Sequence, residues 1–237
     1  YILMQRLSTD DLGGRLHYNI VGKALHQIYE RSRLARAAYR KYLTGFASAS
    51  RADDICAKYR TAMLEEYRTL APALSEITIR NYLGIGPGVC GLEVFLYLGL
   101  PEEDREKLQI FLYDKSEIGD LYFGFKDEAA FYNSLQVATE LLTENGVPED
   151  QITAIDVSED PLIEDEEVDL VVSLIAWGFH FPVKVYRDHV HSRLSSDGVV
   201  ILDVRKGTGG HDEMMEKFSS STLLLDDQKF ERRAYRK

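Results

Sequence analysis

Cysteine is scarce in this chain: there are two, Cys56 and Cys90, in 237 residues. They fall in different expected helices. They therefore offer neither a disulfide framework nor a metal cluster, and a reducing, cytoplasmic setting is expected. Long apolar runs are also missing. The longest, Val168 to Phe181, is interrupted by Asp169, Ser173 and Gly178, so no bilayer span and no membrane partner is expected. The opening residues Tyr1 to Met4 lack the basic segment and small-residue cleavage site of a signal peptide, and the chain begins on Tyr rather than Met. Positive charge is in deficit, 28 Lys and Arg against 39 Asp and Glu, for a net charge of −11. Such a surface repels phosphate backbones, which argues against a nucleic-acid partner. The one basic run, Arg31, Arg33, Arg36, Arg40 and Lys41, spreads around the solvent side of a helix and reads as a solvated face.

What is present is the composition of a folded protein, 45% hydrophobic and 28% charged. The length suits one sizeable α/β domain with a helical extension and is too short for two full enzyme domains. Up to about Ser75 the pattern is helical. Ile55, Tyr59, Met63, Tyr67, Leu70 and Leu74 make one apolar stripe, which Pro72 is placed to end or kink before Leu74. From Ile77 the rhythm changes. Strands are expected at Ile77–Leu83, Gln109–Tyr113, Ile152–Ile155, Val168–Leu174 and Val199–Val204. Helices are expected at Val89–Leu98, about Glu128–Glu144 and Val183–Leu194, with a turn at Asp197-Gly198. This alternation predicts βαβ units and a parallel sheet with helices on both faces. After a short helix near Asp212–Phe218, Ser221–Leu225 and Lys229–Tyr235 flank Asp226-Asp227-Gln228 and predict an antiparallel pair at the sheet edge. There is no internal repeat, and Glu164–Glu167 reads as a solvated acidic loop.

The chemical signal is Leu83-Gly84-Ile85-Gly86-Pro87-Gly88-Val89-Cys90-Gly91, directly after a strand and opening a helix. Glycines there allow a sharp turn and close approach of a ligand, and the helix start contributes free N–H groups and partial positive charge. A tight turn without a ligand is the plain alternative. Its position at the carboxyl end of the first strand, where open sheets bind ligands, favours a binding site. Gly86-x-Gly88-x-x-Gly91 also fits the dinucleotide fingerprint, so an NAD(P)-dependent oxidoreductase is a second reading. Against it, the acid closing the second strand, Asp114, lies well beyond the expected offset of about 20 residues. No substrate domain is expected after the antiparallel tail, and Tyr122 and Lys126, though spaced like a reductase dyad, follow the wrong strand.

Through the Gly84-x-Gly86-x-Gly88 loop, Asp114, Asp156, the Val168–Leu174 strand and the antiparallel tail, Ile77 to Arg236 resembles the class I S-adenosylmethionine-dependent methyltransferase superfamily. The resemblance implies a doubly wound, mostly parallel seven-stranded Rossmann-like sheet with an antiparallel C-terminal edge. Residues 1–75 form a helical extension or cover and 76–237 the cofactor-binding domain. It implies a methyltransferase that uses S-adenosyl-L-methionine on a small-molecule acceptor. Gly84, Ile85, Gly86, Pro87 and Gly88 would lie along the methionine part. Asp114, with Lys115 beside it, would bind the ribose hydroxyls; a strand-end cap is the alternative role for Asp114. Asp156 and Val157 would meet the adenine, and Ser173 and Leu174 the methionyl side. The chain departs from the family at Tyr82, where an acid is usual two residues before the first loop glycine. The cofactor's ammonium then needs other acceptors, such as backbone carbonyls. Tyr18, expected on the substrate side, and Asn19 are candidates from the N-terminal helices.

The stretch Ile175 to Pro182 after the fourth strand is read as the acceptor-side loop. His180 is a candidate base for a hydroxyl acceptor or a histidine packed among Phe179, Phe181 and Trp177. Trp177 is a candidate wall of the acceptor pocket, though aromatic clusters are more often core. The Asn/Asp-Pro-Pro-Tyr motif of many base and amide N-methyltransferases is absent, which argues mildly against those acceptors; a hydroxyl oxygen is the leading expectation. His189 and His191 are two apart on an expected helix and point to different faces, so no metal site is read from them. A homodimer is compatible with this class, and a non-catalytic Rossmann-like binding protein is a third reading.

Overall fold

The computed structural model describes residues 52–115, 134–158 and 166–237. The chain divides into two units, Tyr1–Met63 and Leu64–Lys237. Of the first, only residues 52–63, the start of helix α1 (Ala52–Leu74), are described. Most of the expected helical cover, Tyr18, Asn19, the Arg31–Lys41 run and the Tyr122/Lys126 pair lie outside the described residues. The expected helix from Glu128 is described from Leu135 onward.

α1 continues through Pro72 to Leu74. Pro72 was expected to interrupt it, but it falls in the last turn, where few ladder bonds remain to be lost. The elements that follow are β1 (Asn81–Ile85), α2 (Gly91–Gly99), a single-turn α3 (Glu102–Arg105), β2 (Gln109–Asp114), α4 (Leu135–Glu144) and β3 (Ile152–Asp156). Then come β4 (Val168–Ser173), β5 (Ala176–Phe181), α5 (Arg187–Arg193), β6 (Leu194–Arg205), α6 (Gly210–Met215), β7 (Ser220–Asp226) and β8 (Phe230–Arg236). Seven strands form one sheet in the order β3-β2-β1-β4-β6-β8-β7. The pairs β1·β2, β1·β4, β2·β3 and β4·β6 are parallel, whereas β6·β8 and β7·β8 are antiparallel. The mostly parallel sheet with an antiparallel C-terminal edge is as the sequence predicts.

Three local readings change. β1 begins at Asn81, not Ile77, because pairing with β2 starts at Asn81↔Gln109. The carboxylate of Asp169 on β4 also holds the amides of Arg80 and Asn81, at 2.9 and 3.0 Å. Asp197-Gly198 is no turn between helix and strand but part of β6. Leu194 pairs with Val168 and Val199 with Leu170, so the extra β6 residues form an irregularity inside the strand. The stretch expected as an acceptor-side loop contains strand β5. Trp177, Gly178, Phe179 and Phe181 are buried, and Ala176 and His180 are less so; the three aromatic residues alternate along the strand. β4 pairs with β6 as far as Ser173↔Leu202. A Cβ on Gly178 would then lie 3.2 Å from Asp203 O, so β5 runs beside the end of β6.

On one side of the sheet Leu83, Ile85, Val171, Val200, Leu202 and Tyr235 pack with Trp177, Phe181, Val190 and Phe218 in a single apolar core. Tyr82, Ile110, Leu112, Leu170 and Ile201 are also buried and alternate with that first set along their strands. Among the described residues, no helix is long and apolar enough to cross a membrane.

Candidate functional site at the carboxyl edge of the sheet

Register sets Ile85 beside Tyr113, Gly84 beside Val172 and Asp114 beside Asp156, so Gly86, Asp114, Asp156 and Ser173 fall at the carboxyl ends of neighbouring strands. Gly86 follows β1 with φ +66°, and Gly88 has φ +65°. Left-handed backbone at both positions is what glycine adopts without a Cβ penalty. The loop is tied down by Gly86 N–H to Tyr113 O (2.9 Å) and Cys90 N–H to Pro87 O (3.3 Å). A Cβ on Gly86 would stand 2.5 Å from the Cβ of Ala176. The glycine bend therefore seats directly against the start of β5, a contact that no local sequence pattern announces.

Asp114 closes β2 and is 3% exposed. Its Oδ1 accepts from Lys115 N–H at 2.8 Å and its Oδ2 from Gly88 N–H at 3.4 Å. Both oxygens of Asp114 thus hold backbone amides, one at the strand end and one in the glycine bend. The strand-end register sets Asp156 directly opposite Asp114 on β3. Asp156 Oδ1 accepts from both N–H and Oγ–H of Ser158, at 2.9 and 2.5 Å. Val157 donates its N–H to Asp114 O at 3.0 Å and packs on the core.

Ser173 is 1% exposed. Its hydroxyl donates to Ile85 O (2.7 Å) and accepts from Trp177 N–H (2.9 Å). It thus joins the ends of β1 and β4 to β5. Leu174 beside it is partly exposed. The turn to β5 passes through Ile175 at φ +53°, an uncommon conformation for a β-branched residue. Ile175 N–H is held by Asp203 Oδ2 at 3.1 Å. Asp203 in turn forms a two-pronged pair with Arg232, Nε–Oδ1 2.7 Å and Nη2–Oδ2 2.9 Å, with both side chains fully buried. Arg232 also donates to Glu66 and to Thr69 Oγ1 of α1. Burial acts to lower the Arg232 pKa, but the bonds and charges of Asp203 and Glu66 hold it above its ordinary value. Sequence reading missed this network, and nothing local distinguishes Asp203 or Arg232 from surface charges.

Trp177 is fully buried in the apolar core, with its indole N–H donated to Val183 O at 2.8 Å. It is packing and offers no face to an acceptor. His180 is partly exposed, edge-on to the Phe179 ring at 5.0 Å. It lies four strand residues beyond Ala176, about 13 Å along an extended chain. His189 and His191 are on α5, and the ring of His191 stacks edge-on to Phe218 at 5.2 Å. Tyr113 and Tyr186 meet edge-on at 5.6 Å, and burial pushes both phenols up, so they stay neutral at ordinary pH. Burial, then the charges of Glu93 and Asp114, likewise push the Cys90 thiol up, which makes it a poor nucleophile.

The arrangement is a glycine bend at the carboxyl edge of a parallel sheet, with acceptor-only carboxylates ending the next two strands. The fold is that of the class I S-adenosylmethionine-dependent methyltransferases. A candidate O-methyltransferase of Nostoc punctiforme superposes with a TM-score of 0.52 at 17% identity, the match covering 77% of this chain and 59% of that one. An S-adenosylmethionine-dependent O-methyltransferase of Thermotoga maritima gives 0.48 at 14% identity, over 73% and 64%. A 16S rRNA N2 G1207 methyltransferase of T. thermophilus, solved with AdoMet and guanosine, gives 0.47 at 17% identity, over 75% and 43%. The chain spans less than two thirds of the length of each of these structures. Neither a protein-family model nor a curated relative matches the sequence.

Proposed function

We propose that this chain is an S-adenosylmethionine-dependent methyltransferase that methylates a small molecule at a hydroxyl oxygen. The observation that carries the reading is the glycine bend, bonded through Gly88 N–H to the buried carboxylate of Asp114, whose register partner is Asp156. Asp114, held in place by the Lys115 and Gly88 amides, would accept from the ribose hydroxyls. Asp156 and Val157 would meet the adenine. Gly84 to Gly88 and Leu174 would flank the methionine part, with Ser173 fixing the backbone around it. The bound cofactor supplies a methyl group already activated on a sulfonium, so the chain's own work is positioning and proton removal. His180 would take the hydroxyl proton. The net charge of −11 favours a small acceptor over the phosphate backbone of RNA. The antiparallel β8, set between β6 and β7, favours this reading over an NAD(P) oxidoreductase.

Thermal unfolding tests the cofactor. At a hundredfold excess over Kd, S-adenosylmethionine or its demethylated product should add about 2.7 kcal/mol. For a domain of this size that is a rise of roughly 5–10 °C in Tm, with no shift from NAD or NADP. A shift with the nicotinamide cofactors alone would replace the proposal with the oxidoreductase reading. For the base, His180→Gln should lower kcat by about 10²- to 10⁴-fold and leave cofactor affinity within about twofold of the parent. Undiminished turnover would leave His180 a packing residue.

A further inference from the structure

On β1, Leu83 and Ile85 face the apolar core, so Tyr82 and Gly84 face the opposite side. There Tyr82 Oη donates to Glu93 Oε1 at 2.6 Å, and the two side chains are 0% and 2% exposed. Glu93 stands in the first turn of α2, where the helix start favours negative charge. A Cβ on Gly84 would lie 3.1 Å from Tyr82 Oη and 3.3 Å from Glu93 Oε1. The pair thus lies against the first glycine of the loop, while Asp114 binds the last, Gly88, through its amide. Glu93 is thus set against one end of the bend and Asp114 against the other. Asp114 ends β2 beside Asp156 of β3, whereas Glu93 lies against Gly84.

We propose that Glu93, oriented by Tyr82, is the carboxylate that receives the ammonium group of the cofactor's amino-acid part. This rests on the methyltransferase reading. It explains how the site works with a phenol at position 82: the negative charge comes from α2, and the phenol of β1 fixes its direction. A tyrosine hydroxyl reaches the helix across the width of Gly84, and a Cβ at Gly84 would press on both groups. No step of chemistry is assigned to the pair; it recognises charge and sets where the amino-acid end lies.

The test compares two ligands on the full chain by calorimetry: S-adenosylhomocysteine, which has the amino-acid group, and 5′-methylthioadenosine, which lacks it. Glu93→Gln should weaken S-adenosylhomocysteine by about 10- to 100-fold, the worth of a charge-assisted hydrogen bond. It should change 5′-methylthioadenosine by no more than about twofold. Tyr82→Phe, which keeps the ring, should give the same selectivity with a smaller loss and serves if the glutamine variant does not fold. Equal losses for both ligands, or no loss for either, would overturn the assignment of Glu93. If the parent chain binds neither ligand, the methyltransferase reading itself fails, so the two failures are separable.

Discussion

Arg232→Ala should lower the unfolding free energy by about 3–5 kcal/mol, a large part of the stability of a domain this size. The guanidinium is fully buried and bonds Asp203 on two prongs, together with Glu66 and Thr69. Removing it leaves the fully buried Asp203 without its cation. The penalty is the desolvation of that stranded charge more than the loss of attraction. Asp203 also holds the N–H of Ile175 in its left-handed conformation, so a shifted carboxylate would release the turn that leads into β5. Arg232→Lys should lie between the parent and the alanine variant, because an ammonium keeps the charge and loses the fork. Lys206→Ala, which breaks the exposed pair with Asp226, should cost less than about 1 kcal/mol. Urea unfolding of the three variants measures these differences, and a loss under about 1 kcal/mol for Arg232→Ala would mean that the buried pair does not hold the sheet edge together.

Gly86→Ala should be destabilising by about 3 kcal/mol and should abolish measurable cofactor binding. Two terms add. An L-residue at φ +66° costs roughly 1–2 kcal/mol. The new Cβ would also meet the Ala176 Cβ at 2.5 Å, and overpacking of that kind costs roughly 1–3 kcal/mol. The clash cannot be relieved by a rotamer change, because an alanine Cβ moves only with its backbone. β5 would have to shift, and with it the turn at Ile175. Gly146→Ala is the control. Its φ is +92° and nothing lies within 4 Å of the new Cβ, so it should show only the conformational term and leave binding unchanged. Equal losses in the two variants would mean that the contact with Ala176 contributes nothing.

The readings that held are those based on local chemistry. The apolar runs at Gln109–Tyr113 and Val168–Leu174, and the glycine loop between a strand and a helix, needed only side-chain periodicity and backbone preference to be recognised. The two tail strands were legible because Asp226-Asp227-Gln228 has turn chemistry, realised as the Lys229 N–H bond to Asp227 Oδ1 at 2.8 Å. β5 was missed although its alternation is plain in Trp177, Phe179 and Phe181. A short aromatic run after a strand reads equally well as a loop until β6 is known to extend past Leu202 and lie against it at Gly178. The Asp197-Gly198 signal was real but outweighed, since pairing with β4 on one side of it and continued pairing beyond it absorbs those residues within β6.

Composition and pattern alone settle the class of fold here, because burial of alternating apolar faces and the freedom of glycine are properties of neighbouring residues. They also locate Asp114 and Asp156 at strand ends. Only the folded chain decides that these two acids stand side by side, that Gly86 abuts Ala176, that Tyr82 reaches Glu93, and that Asp203 and Arg232 close on each other inside the protein. Each of those depends on strand order and register, which bring together residues from distant parts of the chain and which short-range preference does not encode.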